Sequence, residues 1–293
     1  MLVFGAAEPM KTSIVPLPNL SARSKRILED EHRRAITVSH DEGLPWADPE
    51  FARRFTVLTD VRRRYWGPPD ADARRVRALL AARFEKRPRV VDLCCGAGRH
   101  ALALAASGVR VTALDVSTYA IRRARGLLSR KPEAVRARLR FVVADVLEPP
   151  PTGPSEAILL LGEQATYFLA DSLRRLFAVW RGRLTHGGRF VVELPRELPT
   201  YTDELFFLPE PLFLDRPCWV RYTRDPNPLG RTVTETFTCF APGARRPRPF
   251  AGTRRFYRPE ELAALSGASG FEVLGLPLEP PRTARDWVVL RWS

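Results

Sequence analysis

Five short apolar runs, at residues 90–94, 109–114, 139–143, 157–161 and 190–194, alternate with helical periodicity at 100–107, 120–129 and 172–184. Several runs are apolar at almost every position, without the in-out alternation of a strand that has one wet face. Such strands must be covered on both sides, and the covering material lies between the runs. The pattern predicts an α/β chain with a doubly wound, Rossmann-like parallel sheet.

The flanks read differently. Residues 1–44 carry no long apolar stripe and are expected to form a loosely ordered arm, with one short helix around 24–35. Asp48-Pro49-Glu50 is a helix-start signal, and Phe51, Phe55 and Leu58 follow at helical spacing. A second helix is expected over 71–84, with Val76, Leu79, Leu80 and Phe84 on one face. Residues 45–86 therefore read as a helical cap. Beyond Pro195, the stretches 218–223 and 232–240 flank a Pro226-Asn227-Pro228-Leu229-Gly230 turn and predict an antiparallel hairpin. Its second arm places Thr232, Thr234, Thr236 and Thr238 opposite Val233, Glu235, Phe237 and Cys239. A third strand is expected near 253–257, then a helix at 259–266 and final strands at 271–276 and 286–292. The division expected is a core of 87–199 and 253–293, interrupted by a β-hairpin insertion at 200–252.

Composition narrows the class. No apolar run approaches the length of a bilayer span, about 20 residues, and residues 1–20 do not read as a secretory signal. Four cysteines in 293 residues are too few for a disulfide framework, and none has metal-knuckle spacing. No metal site is expected, and a cytoplasmic setting is. The net charge of +14 is compatible with a nucleic-acid partner. Yet the arginines are dispersed, and only four of the basic residues are lysine. A solvated basic surface is the favoured reading.

Chemistry concentrates at 91–101, where a strand, a glycine bend and a helix start follow one another. Gly96 and Gly98 let the backbone approach a ligand where a Cβ would collide. In open α/β sheets nucleotides bind at the carboxyl ends of the strands. Asp115 closes the second run, where a carboxylate can accept both ribose hydroxyls of an adenosine, and Asp145 closes the third. Gly96 to Ala101 also satisfies the dinucleotide pattern Gly-x-Gly-x-x-Gly/Ala, so a nicotinamide-dependent reductase is a rival. Asp92 weighs against it. A carboxylate just before the glycines repels a pyrophosphate and favours a cation.

On these residues the chain resembles the class I S-adenosylmethionine-dependent methyltransferases. The likeness rests on Asp92-Leu93-Cys94-Cys95-Gly96-Ala97-Gly98-Arg99-His100, on Asp115 and on Asp145. It continues in Leu160-Leu161-Gly162-Glu163, in the 184–189 turn and in the 257–271 stretch. It covers roughly 87–292, and within the class it is similar to a branch with an N-terminal helical segment and a β insertion after strand five. The resemblance implies a seven-stranded sheet of order 3-2-1-4-5-7-6 with strand seven antiparallel. It implies S-adenosyl-L-methionine as cofactor, with contacts at Asp92, Cys94, Gly96, Gly98, Arg99, Asp115, Val116, Asp145, Val146, Leu161 and Gly162. One departure stands out: Gly162-Glu163-Gln164-Ala165 replaces the Asn/Asp-Pro-Pro-Tyr/Phe signature of enzymes that act on amino groups of bases and of glutamine.

Methyl transfer from a sulfonium is an in-line displacement that consumes a cation, so positioning can supply most of the acceleration. Proton removal is needed where the acceptor is a hydroxyl or ammonium. Glu163 is the leading catalytic candidate, as base or amine binder; the alternative is a carboxylate holding local backbone or an arginine. Tyr167 and Tyr257 are secondary candidates, and Glu193 and His186 stand behind them. His100 reads as a helix start, and Cys94 and Cys95 as small apolar filler. Trp219, Tyr222, Phe237 and Phe240 could roof a substrate pocket, form the hairpin's own core or make a homodimer contact. The favoured function is methylation of a small molecule, followed by an RNA- or DNA-modifying methyltransferase and by a non-catalytic nucleoside-binding protein of the same fold.

Overall fold

A computed structural model of the chain describes residues 26, 50–53, 69–81, 88–150, 152–208, 218–240, 248–275 and 285–292. The expected arm at 1–44 and most of the cap at 45–86 lie outside the described residues. Within the cap, 50–53 are helical and α1 spans Pro69–Ala81, with Ala73, Val76 and Leu80 buried along one stripe.

The core follows as β1 (Arg89–Leu93), α2 (Arg99–Ala106), β2 (Arg110–Asp115), α3 (Thr118–Ser129), the single turn α4 (Glu133–Arg136), β3 (Leu139–Val143), β4 (Ser155–Leu160), α5 (Ala170–Arg181) and β5 (Leu184–Pro195). After a second sheet, formed by β6 to β9, come α6 (Pro259–Gly267), β10 (Phe271–Gly275) and β11 (Arg285–Trp292). The main sheet has the order β3-β2-β1-β4-β5-β11-β10. Its first five strands are parallel, and β11 runs antiparallel to both β5 and β10. This is the expected seven-stranded order, with the seventh strand reversed.

Apolar strands at nearly every position serve two cores. Val90, Val111, Ala157 and Leu159 face α1, α2 and α3. Val91, Leu114, Ile158 and Leu160 face α5 and α6, around the buried Phe177 and Trp180. The two faces of the sheet together account for the continuous runs.

The stretch expected as a hairpin is a four-stranded antiparallel sheet of order β6-β7-β8-β9: β6 (Thr202–Leu208), β7 (Cys218–Asn227), β8 (Thr232–Phe240) and β9 (Arg248–Arg255). The strand expected near 253–257 starts earlier, at Arg248. In β6 the charged first half, Asp203 and Glu204, hides the strand from an alternation pattern. Both faces of β8 are covered: Thr236 and Thr238 are as inaccessible as Phe237 on the opposite face. Phe51 stacks on Phe237 and lies tilted against Phe250, with ring centroids 5.8 Å from each, so the 50–53 helix packs on this sheet. Among the described residues no helix is long and apolar enough to cross a membrane.

Candidate active site

The bend after β1 is built by backbone conformations that side chains resist. Cys94, Gly96 and Gly98 all have positive φ, at 53°, 55° and 81°. At Gly98, a Cβ would lie 2.5 Å from the Phe141 ring, so only glycine fits. At Gly96, a Cβ would meet nothing within 4 Å; its bare Cα faces open space. Asp115 pins this bend to the tip of β2. Its Oδ2 accepts the Gly96 N–H at 2.8 Å and its Oδ1 accepts the Ser117 N–H at 2.8 Å. Each oxygen keeps a second acceptor direction. Burial raises the Asp115 pKa, and the two backbone donors oppose that rise.

Asp92, at the fourth position of β1, is 2% exposed, and its Oδ2 has no hydrogen-bond partner. Burial, reinforced by the nearby Asp115 and opposed by His100, pushes its pKa up to about 6. Burial and the surrounding carboxylates also push the Cys94 and Cys95 thiols up, so both stay protonated and act as small, neutral filler. Around this acid pair the tips of the strands are partly apolar. Val116 is exposed next to Asp115. Asp145 is exposed, and its Oδ1 accepts the Leu147 N–H at 2.8 Å, while Val146 is buried and its carbonyl receives the Trp180 indole N–H at 2.8 Å. Leu161 and Gly162, the latter at φ 74°, are buried at the β4 tip. Arg99 and His100 turn away toward α1, where both reach the Asp72 Oδ2 at 3.0 Å.

A second cluster sits over the β4 tip. Glu163 itself adopts the left-handed region, at φ 62°, ahead of a 3-10 turn at Gln164–Tyr167. Arg254, buried on β9, reaches down to it. Its Nη2 donates to the Glu163 Oε2 at 2.9 Å, its Nη1 to the Glu235 Oε1 at 3.0 Å and its Nε to the Thr166 Oγ1 at 2.9 Å. The Tyr222 hydroxyl donates to the same Glu235 oxygen at 2.9 Å. The guanidinium lies 4.4 Å from the centre of the Tyr167 ring. Burial by itself would lower the Arg254 pKa; Tyr167, Glu235 and Glu163 outweigh it and hold that pKa above its ordinary value. Burial keeps the Tyr167 phenol protonated.

The structure therefore brings Glu163 and Tyr167 together under the second sheet and separates Tyr257 from them in role. The Tyr257 hydroxyl donates to the Phe168 carbonyl at 2.7 Å, and burial pushes its pKa up to about 12. Its ring packs in the α5–α6 core and borders a cavity of about 260 Å3 at the carboxyl end of β5. Glu193 is buried and accepts the Trp287 indole N–H at 3.2 Å. His186 lies near the amino end of β5, away from the tips. Sequence reading missed Arg254 and Glu235 as a pair. The available signal was Glu235 itself, a charge on the otherwise apolar Val233-Phe237-Cys239 face.

A family model described as a methyltransferase domain matches residues 90–188, from β1 into β5. No curated protein matches the chain in sequence. Among solved structures, the CcbJ methyltransferase from Streptomyces caelestis is 20% identical with a TM-score of 0.59, covering 78% of this chain and 98% of its own. An S-adenosylmethionine-dependent methyltransferase from Clostridium acetobutylicum is 14% identical with a TM-score of 0.61, covering 81% and 96%. S-adenosylmethionine-bound CalS10, an amino pentose methyltransferase from Micromonospora echinaspora, is 19% identical with a TM-score of 0.59, covering 81% and 97%. These likenesses show a shared fold.

Proposed function

We propose that this chain, a member of the methyltransferase domain family through its residues 90–188, transfers a methyl group from S-adenosyl-L-methionine to a small-molecule acceptor. The observation that carries this reading is Asp92. A buried carboxylate with an unanswered oxygen, at the end of the strand that runs into the glycine bend, calls for a cation and not for a pyrophosphate. The cofactor brings a sulfonium and an ammonium to that point and supplies the activated methyl group.

In this reading Asp92 balances the ammonium side, and the backbone at Cys94, Gly96, Gly98 and Arg99 lines the methionine portion. The spare acceptor directions of Asp115 take the ribose hydroxyls. Val116, Asp145 and Val146 border the adenine, and Leu161 and Gly162 close the site from β4. The Arg99 side chain, engaged with Asp72, serves by joining α1 to the bend. Holding donor and acceptor in line is worth up to about 10⁵–10⁸ M in effective concentration.

The second sheet acts as the substrate lid, and Arg254 fixes it to the β4 tip. Glu163, paired with Arg254, accepts a hydrogen bond from the acceptor group; Tyr167 shapes the same wall. Tyr257 keeps a supporting role behind it. The small-molecule class agrees with the amino pentose substrate of one structural neighbour.

Calorimetry with S-adenosylmethionine, S-adenosylhomocysteine and NADH tests the reading. The first two are expected to bind and the third not; tight NADH binding with no response to S-adenosylmethionine would overturn it. Glu163→Gln should lower turnover on an identified acceptor and leave cofactor affinity nearly unchanged.

A further inference from the structure

The amino-terminal ends of β1, β2 and β3 carry an arrangement that methyl transfer does not use. Arg89 pairs in register with Arg110. Val111 pairs with Leu139, so Arg138 stands next in the same row. Three arginines thus lie side by side on adjacent strands, about 4.8 Å apart from strand to strand, and Arg140 follows Arg138 on the same face. Like charges directly opposite in a sheet destabilise it. Glu156 answers Arg89 at 3.2 Å. Among the described residues, Arg110, Arg138 and Arg140 have no carboxylate partner.

The row borders a cavity of about 440 Å3, a volume within the range of small-molecule sites. The cavity exists because no helix covers this face between β3 and β4: among the described residues, 144–154 cross there as turns and loop. Its rim is fixed. The Arg183 guanidinium donates to the carbonyls of Pro149 at 3.2 Å and Pro150 at 2.9 Å and to the Thr152 hydroxyl at 3.2 Å. Val91, Val142 and Thr112 give the cavity an apolar wall and a hydroxyl.

We propose that this cavity binds an organic polyphosphate, with a nucleoside diphosphate as the fitting chemistry. Guanidinium forks match phosphate oxygens in pairs, and two neighbouring arginines present two such forks to adjacent phosphates. The organic part lies on the half-buried Val142 and Thr112. The site is at the opposite end of the strands from Asp92 and Gly96, so its occupant is neither methyl donor nor acceptor, and the proposal stands apart from the methyl-transfer reading.

The test is calorimetry of the full chain with UDP, uridine and inorganic tripolyphosphate, repeated on Arg138→Gln. UDP should bind one to one, tripolyphosphate more weakly and uridine not at all. Arg138→Gln should weaken UDP by about tenfold or more, from the loss of charge-assisted hydrogen bonds. It should also raise the melting temperature without ligand, because the row loses a repelling charge. Three results would overturn the proposal. One is equal UDP affinity in parent and variant. Another is tripolyphosphate binding as tightly as UDP, which would remove the organic part. The last is a single-stranded oligonucleotide binding more tightly than UDP with a steep salt dependence, which would assign the row to a nucleic-acid path.

Discussion

The glycine bend and the contact between the two sheets handle buried charge in opposite ways. At the bend, Asp92 is buried with one oxygen that nothing in the chain answers, and its pKa has risen to about 6. At the contact between the two sheets, Arg254 is also buried, yet all three of its nitrogens have partners: Thr166, Glu235 and Glu163. In the proposed reading, a cation from outside completes the first arrangement. The second is complete within the chain and joins two sheets. A buried charge therefore points to a ligand only after its hydrogen bonds have been followed to their ends.

Opposite signs follow for removing the two charges. Arg254→Met leaves Glu163 and Glu235 facing each other without a cation, and breaking a buried pair this way costs about 3–5 kcal/mol. Thermal unfolding should show that loss, and hydrogen exchange should localise it to β8, β9 and the 164–167 turn. Cofactor affinity should fall far less than stability. If Arg254→Met unfolds no more easily than the parent, the cluster is not what binds the lid to β4.

Asp92→Asn should do the reverse. A carboxyl whose pKa is raised on folding from 3.8 to about 6 contributes stability that is fully present below pH 4 and lost as pH rises through 6, about 3 kcal/mol in all. The variant removes that loss, so its melting temperature should exceed the parent's at pH 7.5 and match it near pH 4. A cation bound beside Asp92 favours the ionised form, so S-adenosylmethionine should bind the parent more tightly at pH 7.5 than at pH 5. Asp92→Asn should flatten that dependence. A parent whose affinity is level across this range would show that Asp92 does not meet the cation.

The same contrast decides what could be read in the sequence. The core was legible because each signal was local. Continuous apolar runs announce strands covered on both faces, and Asp92, Gly96 and Gly98 fall within one turn. The positive φ at Gly96 and Gly98 belongs to the bend itself, while the tight fit of Gly98 against Phe141 on β3 comes only with the folded sheet. The lid contact was not legible, since Glu163, Glu235 and Arg254 come from three distant segments and meet only when the second sheet folds over β4. Glu235 was visible as a charge on an apolar face, without its partner. Tyr257 was legible only as a tyrosine before a helix start, without the Phe168 carbonyl that its hydroxyl meets. β6 escaped because Asp203 and Glu204 open a strand at the edge of its sheet.

Gly96→Ala separates backbone strain from ligand space. A non-glycine residue at φ 55° costs about 1 kcal/mol, and no atom of the chain resists the added methyl group. Stability should drop by that amount only. Cofactor affinity should drop further, about 30-fold or more, equivalent to about 2 kcal/mol, because the methyl group occupies the space over the bend. Gly98→Ala lacks this selectivity, since its Cβ collides with Phe141 in the absence of any ligand.

The smallest effect belongs to Tyr257→Phe. Its hydroxyl sits on the Phe168 carbonyl at 2.7 Å, with a pKa near 12, so at neutral pH it is a protonated donor already in use. Removing it leaves a carbonyl to find another donor and should cost about 1 kcal/mol of stability. The ring remains to fill the α5–α6 core, so turnover and its pH dependence should stay at parental values. A loss of turnover with unchanged stability would instead place Tyr257 with Glu163 and Tyr167 at the acceptor, and would move the working wall of the site toward the 260 Å3 cavity beside β5.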